Sequence, residues 1–191
     1  MRNLIVFVIL ALAVAATVQA AEPQAGQLSV TAGGGINMPS GDEAKNGYIV
    51  GAGLGVHVTR GLVLGGEVSY FGYSKEKGTD DNLGTPIDYS VSQHFFTYTG
   101  VGRYYFSGGK SSPYVKGFAG RFNYSLDAVF GGFPIEDSFS DLQFGGGIGM
   151  IFRGARESNL YVEALFNRMT SDEDDLDIFT ITMGMDLGFR P

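Results

Sequence analysis

The chain has 191 residues, with 13 basic and 20 acidic side chains and a formal net charge of −7. That balance excludes the basic footprint that nucleic-acid binding requires. The absence of cysteine excludes disulfides and thiolate metal sites, and 30 glycines with many aromatics and little helical periodicity point to an all-β chain.

The first twenty residues stand apart from the rest. Arg2 supplies a positive start, Leu4 to Ala16 is an unbroken apolar run, and Val18-Gln19-Ala20 is a small-x-small cleavage site before Ala21. This is the pattern of a secretory signal peptide, and its apolar core is too short for a spanning helix. Residues 1–20 are therefore expected to be a cleaved leader and 21–191 a single domain. Removing Arg2 makes the charge balance more negative still.

From Gln27 onward the dominant signal is a period of two, the repeat of a strand. The first strand is expected over 27–38, with Leu28, Val30, Ala32, Gly34 and Ile36 on one face and Ser29, Thr31, Gly33, Gly35 and Asn37 on the other. A polar run, 39–47, follows. Two more strands then stand back to back over 48–73, joined at Arg60-Gly61. Tyr48, Val50, Ala52, Leu54, Val56 and Val58 share the apolar face of one arm. Leu62, Leu64, Gly66, Val68 and Tyr70 share that of the other. Each arm has roughly the 9–11 residues that a tilted strand needs to cross a bilayer.

Residues 74–88 read as an exposed loop. The fourth strand, 89–106, sets Phe96, Tyr98, Tyr104 and Phe106 against Thr97, Thr99, Val101, Arg103 and Tyr105. After a short turn at 107–112, the fifth strand, 114–125, is expected to turn Phe118, Phe122 and Tyr124 outward and Ala119, Arg121 and Asn123 inward. Lys116 then falls outward near a strand end, where its ammonium snorkels into the interface; a bulge that resets the parity is the alternative. Residues 126–138 are expected to be an unusually apolar third loop.

The sixth strand, 139–152, opposes Leu142, Phe144, Ile148 and Met150 to Asp141, Gln143, Gly145, Gly147 and Gly149, and a turn containing Arg153 leads on. The seventh opposes Leu160, Val162, Ala164 and Phe166 to Tyr161, Glu163, Leu165 and Asn167. A fourth loop carries Asp172-Glu173-Asp174-Asp175, with Asp177, read as a solvated acidic tip; the alternative is carboxylates holding Ca²⁺ or Mg²⁺, without the spacing of an EF-hand. The eighth strand, 176–189, puts Phe179, Ile181, Met183, Met185, Leu187 and Phe189 on one face.

Eight strands with short and long connections in alternation describe an eight-stranded antiparallel up-and-down transmembrane β-barrel. A soluble barrel would invert the faces. The membrane is favoured because the face opposite the apolar one gathers Glu67, Arg103, Arg121, Glu163 and Asp186, with His57 beside them, charges that a soluble core would not collect. A barrel of this size is narrow enough to be filled by its own side chains. These six residues are expected to form a structural ion-pair network that plugs the lumen, with an ion or proton gate as the alternative. The glycine-rich runs lack the helix N-terminus that a phosphate cradle needs, so no cofactor is expected.

The C-terminal strand carries the most specific phrase. Thr182-x-Gly184-x-x-Leu187-x-Phe189 is similar to the β-signal by which the barrel-assembly machinery recognises its clients, although Arg190-Pro191 follows the aromatic. The whole chain after the leader resembles the eight-stranded outer-membrane β-barrel family that includes OmpX/Ail-type and OmpA-barrel proteins. The resemblance implies a place in the bacterial outer membrane, with outer-membrane lipids, lipopolysaccharide and the assembly machinery as partners. It also implies a non-enzymatic structural or surface-interaction role, with an extracellular or host surface ligand bound by the loops. A narrow channel and a lipid A-modifying enzyme are the alternatives. Of the two histidines, His57 is placed inside and His94 at the interface, and neither belongs to a catalytic phrase. No catalytic, cofactor or metal residue is expected.

Overall fold

The computed structural model describes residues 24–40, 46–73, 76–80, 87–106, 109–154, 158–170 and 175–189. The expected leader, residues 172–174 of the acidic tip and Arg190-Pro191 lie outside them.

Strand alternation needs a partner for every backbone group, and in lipid only a closed ring supplies one. The described chain forms nine strands: β1 Leu28–Pro39, β2 Gly47–His57, β3 Leu62–Tyr73, β4 Glu76–Asp80, β5 Ile87–Tyr105, β6 Ser111–Phe130, β7 Phe133–Arg153, β8 Ser158–Met169 and β9 Leu176–Phe189. All except β4 make an antiparallel ring that runs β3-β2-β1-β9-β8-β7-β6-β5 and closes by pairing of β3 with β5. The eight-stranded wall is thus the one expected, and β4 is an addition to it. β4 lies in what reads as the second long loop and pairs with β5 above β3, its register one residue out of step with that of β3.

Outward positions carry the apolar residues: Leu54 is 69% exposed and Ile148 67%. Inward positions alternate with them, as at Ser29, Thr31, Ile49, Val63, Phe71, Thr97 and Leu165, all buried.

Two expectations are corrected. On β6 the faces are reversed, with Tyr114, Lys116, Phe118 and Phe122 buried inside and Ala119, Arg121 and Asn123 exposed on the outer wall. Register is the reason. Lys116 stands opposite Arg103 on β5 and Gly147 on β7, both inward positions, and cross-strand partners share a face. Arg121, expected in the interior network, instead lies outward between Tyr98 and Leu142.

The second correction is at 126–138. These residues are not a loop. β6 and β7 pair through to Phe130 opposite Phe133 and turn at Gly131-Gly132. Both turn glycines have positive φ, 56° and 86°, as a two-residue type I′ hairpin demands. β8 accompanies β7 only as far as Met169 opposite Gln143. Beyond that height β4, the upper part of β5, β6 and β7 rise as a four-stranded flap over one side of the mouth.

Candidate functional site

The lumen is filled in layers. At the turn end, Val63, Tyr105, Tyr114, Ile151 and Tyr161 pack together. Within this layer His57 stacks on Tyr105 at 6.3 Å, and Arg153 lies over the same ring at 5.7 Å. Arg153 also donates from Nη1 to the Gly109 carbonyl at 2.7 Å. Ser29 Oγ donates to Asp186 at 2.6 Å.

Above this floor sits the charge network. Arg103 pairs with Glu67. Lys116 Nζ bridges Glu67 Oε2 at 2.7 Å and Glu163 Oε1 at 3.1 Å. Tyr114 and Thr182 donate to Glu163 at 2.9 and 3.0 Å. The Lys116 and Glu163 side chains are 3% and 4% exposed, so these charges are stable here only because they are paired, Lys116 with both Glu67 and Glu163.

Next comes a cavity of about 50 Å³ between Glu67, Lys116, Thr31, Gln143 and Asn167. Asn167 donates to Thr180 at 3.0 Å and Gln143 donates to Asn167 at 3.3 Å. The mouth end is then closed by Ile49, Phe71, Phe95, Phe122, Met169 and Ile178, with Tyr73, Tyr124 and Leu176 against them. This layer is apolar and interlocked, with Phe95 at 5.0 Å from Tyr124 and 6.0 Å from Phe122.

Of the six residues expected inside, Glu67, Arg103 and Glu163 meet in one network, Asp186 and His57 lie in the floor, and Arg121 is outside. Lys116 occupies the place given to Arg121. Lys116, expected on the outer wall, and Arg153, expected in a turn, both belong to the interior. A signal for Lys116 was present: Gly145, Gly147 and Gly149 on β7 must face large neighbours, and they face Phe118, Lys116 and Tyr114. A Cβ at Gly149 would collide with the Tyr114 ring, and one at Gly145 with that of Phe118.

The residues of the C-terminal phrase divide between faces. Thr182 is buried in the network and Gly184 leaves space taken by the Tyr161 hydroxyl, while Leu187 and Phe189 point outward. The two histidines lie at opposite ends and on opposite faces, His94 stacking on Tyr70 at 5.8 Å on the outer wall. They cannot serve one site.

The flap presents the other surface. Its inward face continues the plug upward through Tyr89, Ala128, Phe130, Phe133 and Ile135, and Phe133 is 76% exposed. Its outward face bears Lys77, Asp88, Ser90, Asp127 and Glu136.

An antiparallel ring with an apolar exterior and a paired, ionised interior is a transmembrane β-barrel. The chain belongs to the outer membrane protein beta-barrel domain family, whose model matches residues 7–189. Its place is accordingly the bacterial outer membrane. None of the curated proteins matches it. Among solved structures it is similar to Neisserial surface protein A (14% identity, TM-score 0.65, 86% of this chain and 99% of that one). It is also similar to Ail, the attachment invasion locus protein of Yersinia pestis (12%, 0.59, 86% and 100%). A third is the N-terminal barrel of Pseudomonas aeruginosa OprF (14%, 0.51, 86% and 100%). At these identities the likeness is one of fold.

Proposed function

We propose that the protein is a non-enzymatic outer-membrane barrel that acts through its extracellular flap, in adhesion or in envelope integrity. The observation that carries this reading is the layered lumen. A channel needs a continuous polar path, and the layer of Ile49, Phe71, Phe95, Phe122, Met169 and Ile178 interrupts it. What remains available to partners is the outer wall, which meets lipid, and the flap, whose exposed Val129, Phe130, Phe133 and Ile135 form an apolar tip. Leu187 and Phe189 at the end of β9 support recognition by the assembly machinery, and lipopolysaccharide surrounds the finished barrel.

Ail has been solved in complex with the heparin analogue sucrose octasulfate, so a barrel of this fold takes a sulfated ligand. The flap here is acidic. Asp88, Asp127, Glu136, Asp137 and Asp141 outnumber Lys77, which repels a sulfated glycan. The expected ligand is an uncharged or basic surface on a host or neighbouring cell.

The test is adhesion of cells expressing the intact protein to epithelial monolayers, compared with cells in which Val129, Phe130, Phe133 and Ile135 are all serine. Adhesion should fall while surface expression is kept. Equal adhesion together with equal detergent sensitivity of the two strains removes the reading. Release of acyl chains from lipopolysaccharide by the purified protein removes the non-enzymatic part, and current steps in a planar bilayer remove the filled lumen.

A further inference from the structure

The outer wall carries a charge that no other described residue balances. Arg121 is exposed at the sixth outward position of β6, above Ser111, Pro113, Val115, Gly117 and Ala119. Its outward neighbours across the strands are Tyr98 and Leu142, 50% and 57% exposed. At the same rim Arg168 is held bidentately by Asp177 at 2.7 and 2.8 Å. Among the described residues Arg121 has no ion-pair or hydrogen-bond partner. A guanidinium at the upper border of a lipid-facing wall is favoured by an anion beside it. The contrast with Arg168 shows how the fold supplies one when it supplies one at all.

Two features say what that anion is attached to. One step up the wall, Asn123 and Ser140 stand opposite each other and face outward, adding polar groups to the guanidinium at headgroup height. Below, the wall is smooth. Gly66, Gly100 and Ala119 lie in one cross-strand row, and Gly102, Gly117 and Gly146 in the next. An apolar groove of about 650 Å³ runs past Gly66 and Gly100 between Leu54, Val68 and Tyr98. A Cβ added at Gly117 would meet nothing within 4 Å, and at Gly66, Gly100 and Gly102 only ordinary contacts at 3.6 to 3.8 Å. Packing within the protein does not demand these four glycines, unlike Gly146, where a Cβ would stand 2.8 Å from the Lys116 carbonyl oxygen, and unlike those inside the barrel.

We propose that this part of the wall is a site for one phosphorylated glycolipid of the outer leaflet, of the lipid A type. Arg121 holds its phosphate, with Asn123 and Ser140 adjacent, and an acyl chain lies in the glycine furrow below. Charge complementarity selects the occupant: the furrow of Gly100, Gly102 and Gly117 is apolar, and on the same strand as Gly117 the Arg121 guanidinium stands just above it, beyond Ala119. The proposal rests on the outer wall meeting lipid, and the experiment separates the two.

The full-length protein is reconstituted in phosphatidylethanolamine vesicles with one test lipid: bisphosphorylated lipid A, the same lipid A with both phosphates removed, or phosphatidylglycerol. It is then extracted in mild detergent, and bound lipid is counted by native mass spectrometry. The intact protein should retain bisphosphorylated lipid A about tenfold better than either other lipid, the gain expected of a charge-assisted phosphate contact. Arg121→Gln should abolish that preference and Arg121→Lys restore part of it. Gly117→Leu, which has room to fold, should lower retention of lipid A with or without its phosphates. Equal retention by the intact protein and Arg121→Gln overturns the proposal, as does equal retention of phosphatidylglycerol. In both cases the unboiled protein must still migrate as a folded barrel, since loss of that shift would instead overturn the membrane assignment.

Discussion

At the scale of single residues, Lys116 shows how much of the interior depends on one position. Its ammonium serves Glu67 and Glu163 together, at 2.7 and 3.1 Å, in a region the solvent barely reaches. Removing one member of a buried pair leaves an uncompensated charge, at a cost of about 3 kcal/mol or more. Lys116→Met should therefore lower the urea midpoint of the refolded barrel by that free energy, read from the gel shift of samples equilibrated in lipid vesicles. Adding Glu163→Gln should return about half of the loss. The neutral amide's oxygen still accepts from one of the Tyr114 and Thr182 hydroxyls while its NH2 donates to the other, and Glu67 keeps Arg103. If the double variant is no better than the single one, burial of charge is not what the lysine answers. Gly35 makes the complementary point about space. A Cβ there would run into the Ile181 carbonyl and Thr182 Cα, which are backbone and cannot swing aside. Gly35→Ala should cost about 1–3 kcal/mol in the same assay.

At the scale of elements, legibility followed chemical contrast between the two faces. On β1, β2, β3, β5, β7, β8 and β9 one face is aliphatic or aromatic and the other small, polar or ionised, so the alternation alone assigns inside and outside. β6 offers no such contrast. Each of its faces carries one cation, Lys116 or Arg121, and the aromatics Tyr114, Phe118 and Phe122 belong inside only because β7 puts glycines opposite them. The interior network was readable at Glu67, Arg103 and Glu163 for the same reason that Arg121 was misplaced: a correct parity carries every residue of a strand with it, and so does a wrong one. The upper hairpin was hidden because alternation announces a strand only where lipid or a packed core demands it, and this stretch stands above both. Its turn is nonetheless specific. Gly132 sits at a φ of 86°, a conformation that costs an L-residue about 1–2 kcal/mol. Gly132→Val should fray the tip and open 126–137 to added protease, while the gel shift of the ring stays unchanged. Loss of that shift would mean that the hairpin is needed for closure. The free edge of β7 is already protected against pairing with another chain. Pro134 has no N–H, and the amides of Ser138 and Leu142 are taken by the carboxylates of Asp137 and Asp141 at 2.8 and 2.7 Å.

At the scale of the whole molecule, the ring and the flap divide the work, and one deletion separates them. Leu126 and Asp137 face each other across β6 and β7, so residues 127–136 can be replaced by Asn-Gly without disturbing any strand of the wall. The mouth layer keeps all its members, including Tyr124, which packs on Phe139 at 4.9 Å just below the cut. The shortened protein should then refold, resist heating and remain silent in a planar bilayer as the intact one does, because closure of the lumen belongs to Phe71, Phe95 and Phe122 and not to the tip. Adhesion should be lost, because Phe130, Phe133 and Ile135 go with the hairpin. Current through the shortened barrel would show that the flap is a lid over a pore. In a parallel arm, Phe71, Phe95 and Phe122 are changed to alanine with the flap intact. That removes the apolar barrier above a cavity lined by Glu67 and Lys116, and it should admit small cations if the plug alone holds the lumen shut.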